Sequence, residues 1–122
     1  MIAVIDYGAG NIFSVENALR YLGQEHILTD DPATIRRADA IILPGVGAFP
    51  SAMQMLHAHG LTELLQQQAK EKPFLGICLG MQMLFEKSYE YGEHQGLGFV
   101  QGEVCPLEPD LKDPALKVPQ IG

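Results

Sequence analysis

The chain has 122 residues, of which 47% are hydrophobic, so it is long and apolar enough for one domain with a substantial core. Its net charge is −7 and its eight Lys and Arg residues are scattered, which excludes nucleic acid and anionic membranes as main partners. It contains no apolar run approaching the ~18 residues of a membrane span, no basic flank of a signal peptide and only two cysteines. These features predict a reduced, cytoplasmic protein with a single domain over residues 1–122.

Short apolar runs alternate with helical patterns, which is typical of a parallel α/β sheet. Strands are predicted at residues 2–6, 25–29, 40–43 and 74–77. Helices are predicted between Asn11 as N-cap and Gly23 as C′ residue, after Asp31-Pro32, and over 48–70 with a break near Gly60. The pattern therefore predicts strands and helices that follow one another along most of the chain.

The final third of the chain is less regular. Met81, Leu84 and Phe85 fit a helical stripe that continues beyond the fourth strand. Residues 97–100 and 103–105 are predicted as two short antiparallel strands, followed by a proline-rich loop that cannot pair as a central strand. We expect the chain to be the front part of a longer domain.

The segment Phe74-Leu75-Gly76-Ile77-Cys78-Leu79-Gly80 is the strongest functional signal. It predicts a strand, a tight turn with Cys78 at its apex, and a helix. Glycines two residues either side leave room for the strand and the helix to approach, as in a nucleophile elbow. A cysteine at a helix N-terminus is favoured as thiolate, so Cys78 is the candidate nucleophile. The alternative is a buried cysteine that packs as a small apolar residue.

A second glycine-rich loop, Pro44-Gly45-Val46-Gly47, follows the third strand. If the third and fourth strands are neighbours, this loop lies beside Cys78. Its backbone N–H groups and that of Leu79 then form an oxyanion hole for a tetrahedral intermediate. The alternative is an ordinary turn between a strand and a helix.

A thiolate acyl-transfer site also needs a base, usually a histidine. Four histidines are present: His26, His57, His59 and His94. His26 opens a strand, and His57 and His59 end a helix. His94, in a glycine-rich loop, is the least improbable base, but none of the four is convincing.

The loop at residues 6–11 contains Gly8 and Gly10, and Asp30 follows about 20 residues later, which resembles a dinucleotide fingerprint. The third glycine position holds Phe13, whose ring is expected to obstruct close packing of strand and helix. We therefore favour a ligand or partner loop at the carboxyl end of the sheet.

Together these segments resemble the class I, or triad, glutamine amidotransferases, and most closely the glutaminase subunits of imidazole glycerol phosphate synthases. The matching motifs are D-Y-G-x-G-N at residues 6–11, P-G-V-G-x-F at 44–49, G-I-C-L-G-M-Q at 76–82, G-L-G at 96–98 and V-P-x-x-G at 118–122. The elbow marks the superfamily, whereas the first and last motifs mark this subunit. The resemblance implies a three-layer α/β sandwich with a mostly parallel, flavodoxin-like sheet.

The resemblance also implies roles for single residues. Cys78 forms the glutamyl thioester and releases ammonia, and the backbone of Gly47 and Leu79 forms the oxyanion hole. The residues that hold the substrate glutamine correspond to Gly45, Gln82 and Glu90. The surfaces that face the synthase subunit correspond to Asn11, Pro119 and Gly122.

The implied partner is a (β/α)₈-barrel synthase subunit that forms a heterodimer with the glutaminase. It joins the ammonia to a ribulosyl intermediate and makes imidazole glycerol phosphate in histidine biosynthesis. A sheltered path is expected because free ammonia is protonated in water. No metal ion or cofactor is implied.

In this family the triad histidine and glutamate lie beyond the V-P-x-x-G segment. We therefore expect residues 1–122 to be an N-terminal part of the subunit that does not turn over glutamine alone. Two alternatives stay open on the sequence: another cysteine hydrolase on the same fold that uses His94, and a non-catalytic binding module whose interface is the loop at 6–11.

Overall fold

The computed structural model describes residues 1–89 and 92–105. Seven strands are assigned there: β1 (Ile2–Ile5), β2 (His26–Thr29), β3 (Ala40–Gly45), β4 (Phe74–Cys78), β5 (Phe85–Ser88), β6 (His94–Gln95) and β7 (Val100–Val104). Five helices accompany them: α1 (Ile12–Tyr21), α2 (Pro32–Arg37), α3 (Phe49–Ala58), α4 (Thr62–Gln68) and α5 (Leu79–Gln82). Within the described ranges, no helix has the length and apolar character needed to cross a bilayer.

The first four strands form one parallel sheet in the order β2-β1-β3-β4. This is the beginning of the flavodoxin-like strand order. Because the strands are parallel, the loops that follow β1, β3 and β4 meet at the carboxyl edge of the sheet. The predicted parallel α/β architecture is confirmed.

Side chains on successive strand residues point to opposite faces of the sheet. Both faces are apolar in this sheet, and helices cover both of them. On one face Val4 and Ile42 pack with Leu19 of α1. On the other, a larger cluster of buried residues joins the sheet to α2, α3, α4 and α5. The three layers that the resemblance implied are therefore present.

The predicted helix ends have local causes. Asn11 caps α1 by accepting a hydrogen bond from the N–H of Ser14 at 3.2 Å, and Gly23 follows its end with φ 69°. Asp31 caps α2 by accepting from the N–H of Thr34 at 3.1 Å, with Pro32 at the first helical position. The break at Gly60 between α3 and α4 is also confirmed.

The prediction of a helix through Leu84 and Phe85 is wrong. Helix α5 ends at Gln82, and β5 begins at Phe85. The carbonyl oxygen of Leu84 accepts hydrogen bonds from the N–H groups of Phe99 and Val100, at 2.8 and 3.0 Å. Pairing with this distant segment competes successfully with a helical stripe of only three residues.

The second sheet, in the order β6-β5-β7, also differs from the prediction of two short antiparallel strands. One strand, β7, replaces them, and it pairs parallel to β5 with an irregularity between Phe85 and Lys87. Gly102, inside β7, has φ 128°, which suits a bulged strand. His94 lies in β6, antiparallel to β5, rather than in a loop.

Candidate active site

Cys78 occupies the apex of the turn between β4 and α5, as predicted. Its backbone has φ 55° and ψ −122°, and it is the one non-glycine residue with positive φ in the part of the chain that the structure describes. Such a conformation costs about 1–3 kcal/mol and persists only where the surrounding fold imposes it. The side chain is exposed, so the interpretation as a buried, packed cysteine is wrong.

The glycines on either side make this turn possible. A Cβ atom on Gly80 would overlap the carbonyl oxygen of Leu43, and one on Gly76 would lie 2.7 Å from the carbonyl oxygen of Gly80. The first turn of α5 therefore lies directly against β3 and β4. Glycine at both positions is therefore needed for this close approach of strand and helix, as predicted from the sequence.

The helix behind Cys78 is shorter than expected, because α5 has only four residues. A macrodipole arises from many aligned peptide units, so a single turn supplies little of it. The local contribution to this site is instead the free N–H groups of the first turn, beginning with that of Leu79.

The glycine-rich segment at 44–47 lies beside the cysteine, as the strand order predicted. Its first two residues, Pro44 and Gly45, end β3, which is two residues longer than the predicted strand at 40–43, and the loop begins at Val46. Gly45 is the register partner of Cys78 in the parallel ladder of β3 and β4. Gly47 is exposed and has φ 104°, a conformation that L side chains rarely adopt. Backbone groups of this loop and of the elbow therefore share the carboxyl edge of the sheet.

Tyr7 also belongs to this region, although no sequence motif assigned it a role. Its side chain is fully buried, and its hydroxyl donates a hydrogen bond to the carbonyl oxygen of Pro44 at 2.7 Å. Burial raises the pKa of Tyr7 to about 12, so the phenol stays protonated and remains a donor. The available signal was one bulky aromatic residue in a loop otherwise made of small and polar residues.

Of the residues expected to bind substrate, Gln82 ends α5 and has a buried Oε1 with no hydrogen-bond partner among the described residues. Asn11 is exposed at the N-terminus of α1, on the loop that follows β1. Glu90, Pro119 and Gly122 lie outside the described residues.

The four histidines lie at other positions in the fold. His26 Nδ1 lies 3.0 Å from the carbonyl oxygen of Gln24, and His59 Nδ1 lies 3.1 Å from Asp30 Oδ2. His57 and His94 line a cavity of about 540 Å³ beside α3 and α4, whose lining residues do not include Cys78. The described residues therefore do not place a histidine on the candidate nucleophile.

A strained, exposed cysteine between a parallel strand and a helix, at the carboxyl edge of a flavodoxin-like sheet, defines an α/β protein of the nucleophile-elbow class. Residues 1–108 match the CobB/CobQ-like glutamine amidotransferase domain. The chain belongs to this glutamine amidotransferase family.

Curated relatives of the chain have names that are more specific than the description of the family. The chain is 53% identical, over 93% of its length, to the imidazole glycerol phosphate synthase subunit HisH of Exiguobacterium sibiricum. It is 46% identical, over its whole length, to the protein of the same name from Sulfurimonas denitrificans. It spans 58% and 59% of the lengths of these two relatives.

A solved structure described as a glutamine amidotransferase superposes with a TM-score of 0.72 over 86% of this chain and 56% of that one. The sequence identity is only 20%, so this similarity bears on the fold. It confirms the fold class that the motifs implied.

Proposed function

We propose that this chain is the nucleophile-bearing part of a glutaminase that hydrolyses glutamine to glutamate and ammonia. The observation that carries the proposal is the geometry of Cys78: exposed, with φ 55°, and paired in register with Gly45 at the end of β3. Natural chains keep backbone strain of this kind mainly at functional sites.

The chemistry proceeds in two steps. The Cys78 thiolate attacks the side-chain amide carbon of glutamine and forms a tetrahedral intermediate. The nitrogen of that intermediate takes a proton from the triad histidine, which the family places after the V-P-x-x-G segment, and leaves as ammonia. Water then hydrolyses the remaining γ-glutamyl thioester to glutamate and the free thiol. We assign the oxyanion hole to the backbone N–H groups of Gly47 and Leu79; removal of one such donor typically costs about 2.7–4 kcal/mol of barrier stabilisation.

Substrate binding is assigned to Gly45, Gln82 and Glu90. Gly45 is the register partner of Cys78, so its backbone is close to the position proposed for the substrate. The unpartnered Oε1 of Gln82 supplies an acceptor within the elbow helix. An acceptor of this kind suits a substrate that carries ammonium and amide donors.

We assign the partner surface to Asn11, Pro119 and Gly122, facing a (β/α)₈-barrel synthase subunit in a cytoplasmic heterodimer. Two exposed apolar side chains support an interface at the carboxyl edge: Phe13, 73% exposed after the β1 loop, and Val46, 58% exposed after β3. The partner's lyase reaction would use the ammonia to make imidazole glycerol phosphate for histidine biosynthesis. The names of the HisH relatives support this assignment.

The test uses the intact protein, with any continuation of its reading frame, in complex with the synthase subunit. Cys78→Ala should abolish glutamate release from glutamine while synthesis from added ammonia continues. Cys105→Ala, which removes the other exposed thiol, should leave both activities unchanged. Ammonia release from glutamine by the Cys78→Ala variant would refute the proposal.

A further inference from the structure

The hydroxyl of Tyr7 connects the first loop of the chain to the glycine-rich loop beside Cys78. It lies 2.7 Å from the carbonyl oxygen of Pro44 and 3.4 Å from the sulfur of Met83. A phenol has one proton to donate, and a carbonyl oxygen at the shorter distance is much the better acceptor. The proton therefore points at Pro44.

This hydrogen bond continues the sheet where its ladder stops. The pairing of β1 with β3 runs from Ile2–Ala40 to Val4–Ile42 and goes no further. Beyond the Val4–Ile42 pair, the carbonyl oxygen of Pro44 accepts its hydrogen bond from the Tyr7 hydroxyl instead of from a backbone N–H of β1. Gly10 packs on the same peptide, since a Cβ atom there would lie 3.1 Å from the carbonyl carbon of Pro44 and from the nitrogen of Gly45.

Holding the Pro44 carbonyl fixes the next N–H group as well. The peptide bond between Pro44 and Gly45 is planar, and its C=O and N–H point in opposite directions when it is trans. A carbonyl directed at Tyr7 therefore directs the N–H of Gly45 away from it. Gly47 follows two residues after Gly45, and a Cβ atom there would have no atom within 4 Å, so packing does not hold the direction of the backbone at that point.

We propose that Tyr7 is a positioning residue for the oxyanion loop at residues 44–47. Its hydroxyl fixes the Pro44–Gly45 peptide, and through it the aim of the loop's backbone donors at the substrate on Cys78. A Cβ atom on Gly45 would lie 3.1 Å from the Tyr7 hydroxyl and 2.7 Å from the nitrogen of Gly80, so hydroxyl, loop and elbow meet at this point. The inference rests on the proposed glutaminase function.

The experiment compares Tyr7→Phe with the unaltered intact protein in complex with the synthase subunit. The expected result is a fall in kcat for glutamine hydrolysis of about 10–100-fold, because a misdirected donor costs transition-state stabilisation. KM should change by less than about twofold, since the loss falls on the transition state. Alkylation of Cys78 by iodoacetamide, which uses no oxyanion hole, should keep its rate.

Two further variants serve as controls. Tyr21→Phe removes a hydroxyl from a side chain that is 91% exposed, and it should leave every rate unchanged. Met83→Leu removes the sulfur near Tyr7 but leaves the Pro44 carbonyl in place. It should retain kcat, which separates the hydrogen bond to Pro44 from the contact with sulfur.

Amide hydrogen exchange gives a readout that does not depend on glutamine. In Tyr7→Phe the amides of Gly45 to Ala48 should exchange at least about tenfold faster, while those of β1 and of residues 40–43 of β3 keep their protection. Unchanged exchange in this loop would overturn the inference, even if the unaltered protein proves not to hydrolyse glutamine. An unchanged kcat, or equal losses in kcat and alkylation rate, would also overturn it.

Discussion

Gly45 at the end of β3 is the register partner of Cys78 at the end of β4. A Cβ atom on Gly45 would lie 3.1 Å from the Cβ atom of Leu79, so the elbow rests directly on the last residue of β3. The position of the cysteine is therefore set by backbone packed on backbone. Adding one carbon atom at this contact should disturb the site more than removing an exposed side chain.

The first prediction concerns Gly80→Ala. The added methyl group would overlap the carbonyl oxygen of Leu43, which belongs to a central strand and cannot move freely. We expect the free energy of unfolding, measured by urea denaturation, to fall by more than about 3 kcal/mol.

Gly23→Ala is the matched control for Gly80→Ala. Gly23 has φ 69°, and a methyl group added there would have no atom within 4 Å, so only backbone strain is added. The loss should be about 1 kcal/mol. Equal losses for the two variants would show that close packing does not hold the elbow.

The elbow was predictable because its determinants are local. An apolar run, a cysteine and two glycines at fixed spacing are all visible in seven consecutive residues. The neighbouring position of the 44–47 loop followed from the general rule that strands of a parallel sheet end at the same edge. Local capping chemistry at Asn11 and Asp31 likewise identified the helix starts.

The parts that were missed depend on partners distant in sequence. Leu84 leaves the helical pattern because Phe99 and Val100 bind its carbonyl oxygen. The role of Tyr7 depends on Pro44, 37 residues away. Neither hydrogen bond has a signature in the spacing of apolar residues, which reports only which face of an element is buried.

A second prediction follows from the strain at Cys78. Cys78→Gly should be more stable than Cys78→Ala by about 1 kcal/mol, because glycine adopts φ 55° without the steric cost that a Cβ atom brings. Both variants lack the thiol, so the difference between them reports the backbone strain at this position. Thermal or urea unfolding of the two proteins gives the difference directly, and an alanine variant at least as stable as the glycine variant would contradict the strained-turn interpretation.

The third prediction concerns Lys72, whose ammonium group caps the end of α2. Its Nζ donates to the carbonyl oxygens of Ile35, Arg36 and Ala38 at 3.1, 3.0 and 2.7 Å. These carbonyls lie at or just beyond the last turn of the helix, where a cation is favoured. Lys72→Met keeps the apolar stem and removes the donors, so the free energy of unfolding should fall by about 1–3 kcal/mol.

Lys70→Met is the control for Lys72→Met. Lys70 is exposed, and its side chain makes no hydrogen bond or ion pair with any residue that the structure describes. Its replacement should change the free energy of unfolding by no more than about 0.5 kcal/mol. Similar losses for both variants would mean that the three carbonyl contacts do not hold α2 in place.

The fourth prediction is a pH dependence at the start of β1. The amino group of Met1 lies 2.6 Å from Asp39 Oδ2, and the hydrogen bond to Asp39 raises the pKa of that amino group above its usual 8.0. The same hydrogen bond lowers the pKa of Asp39 below its usual 3.8. The stabilisation that comes from the raised pKa of the Met1 amino group is fully present below pH 8.0, and it is lost as the pH rises through the pKa of that group in the folded protein. Stability from Asp39 is complete above pH 3.8 and is lost as the pH falls through its lowered pKa.

Asp39→Asn tests this ion pair. The difference in the free energy of unfolding between the unaltered protein and this variant should be small, because Asp39 is exposed and solvent screens the pair. It should be largest and level between about pH 4 and 8, and it should shrink on either side of that range. Added salt should reduce it throughout. A difference that stays constant from acid to alkaline pH would mean that packing or backbone effects of the substitution, rather than the ion pair, cause the change in stability.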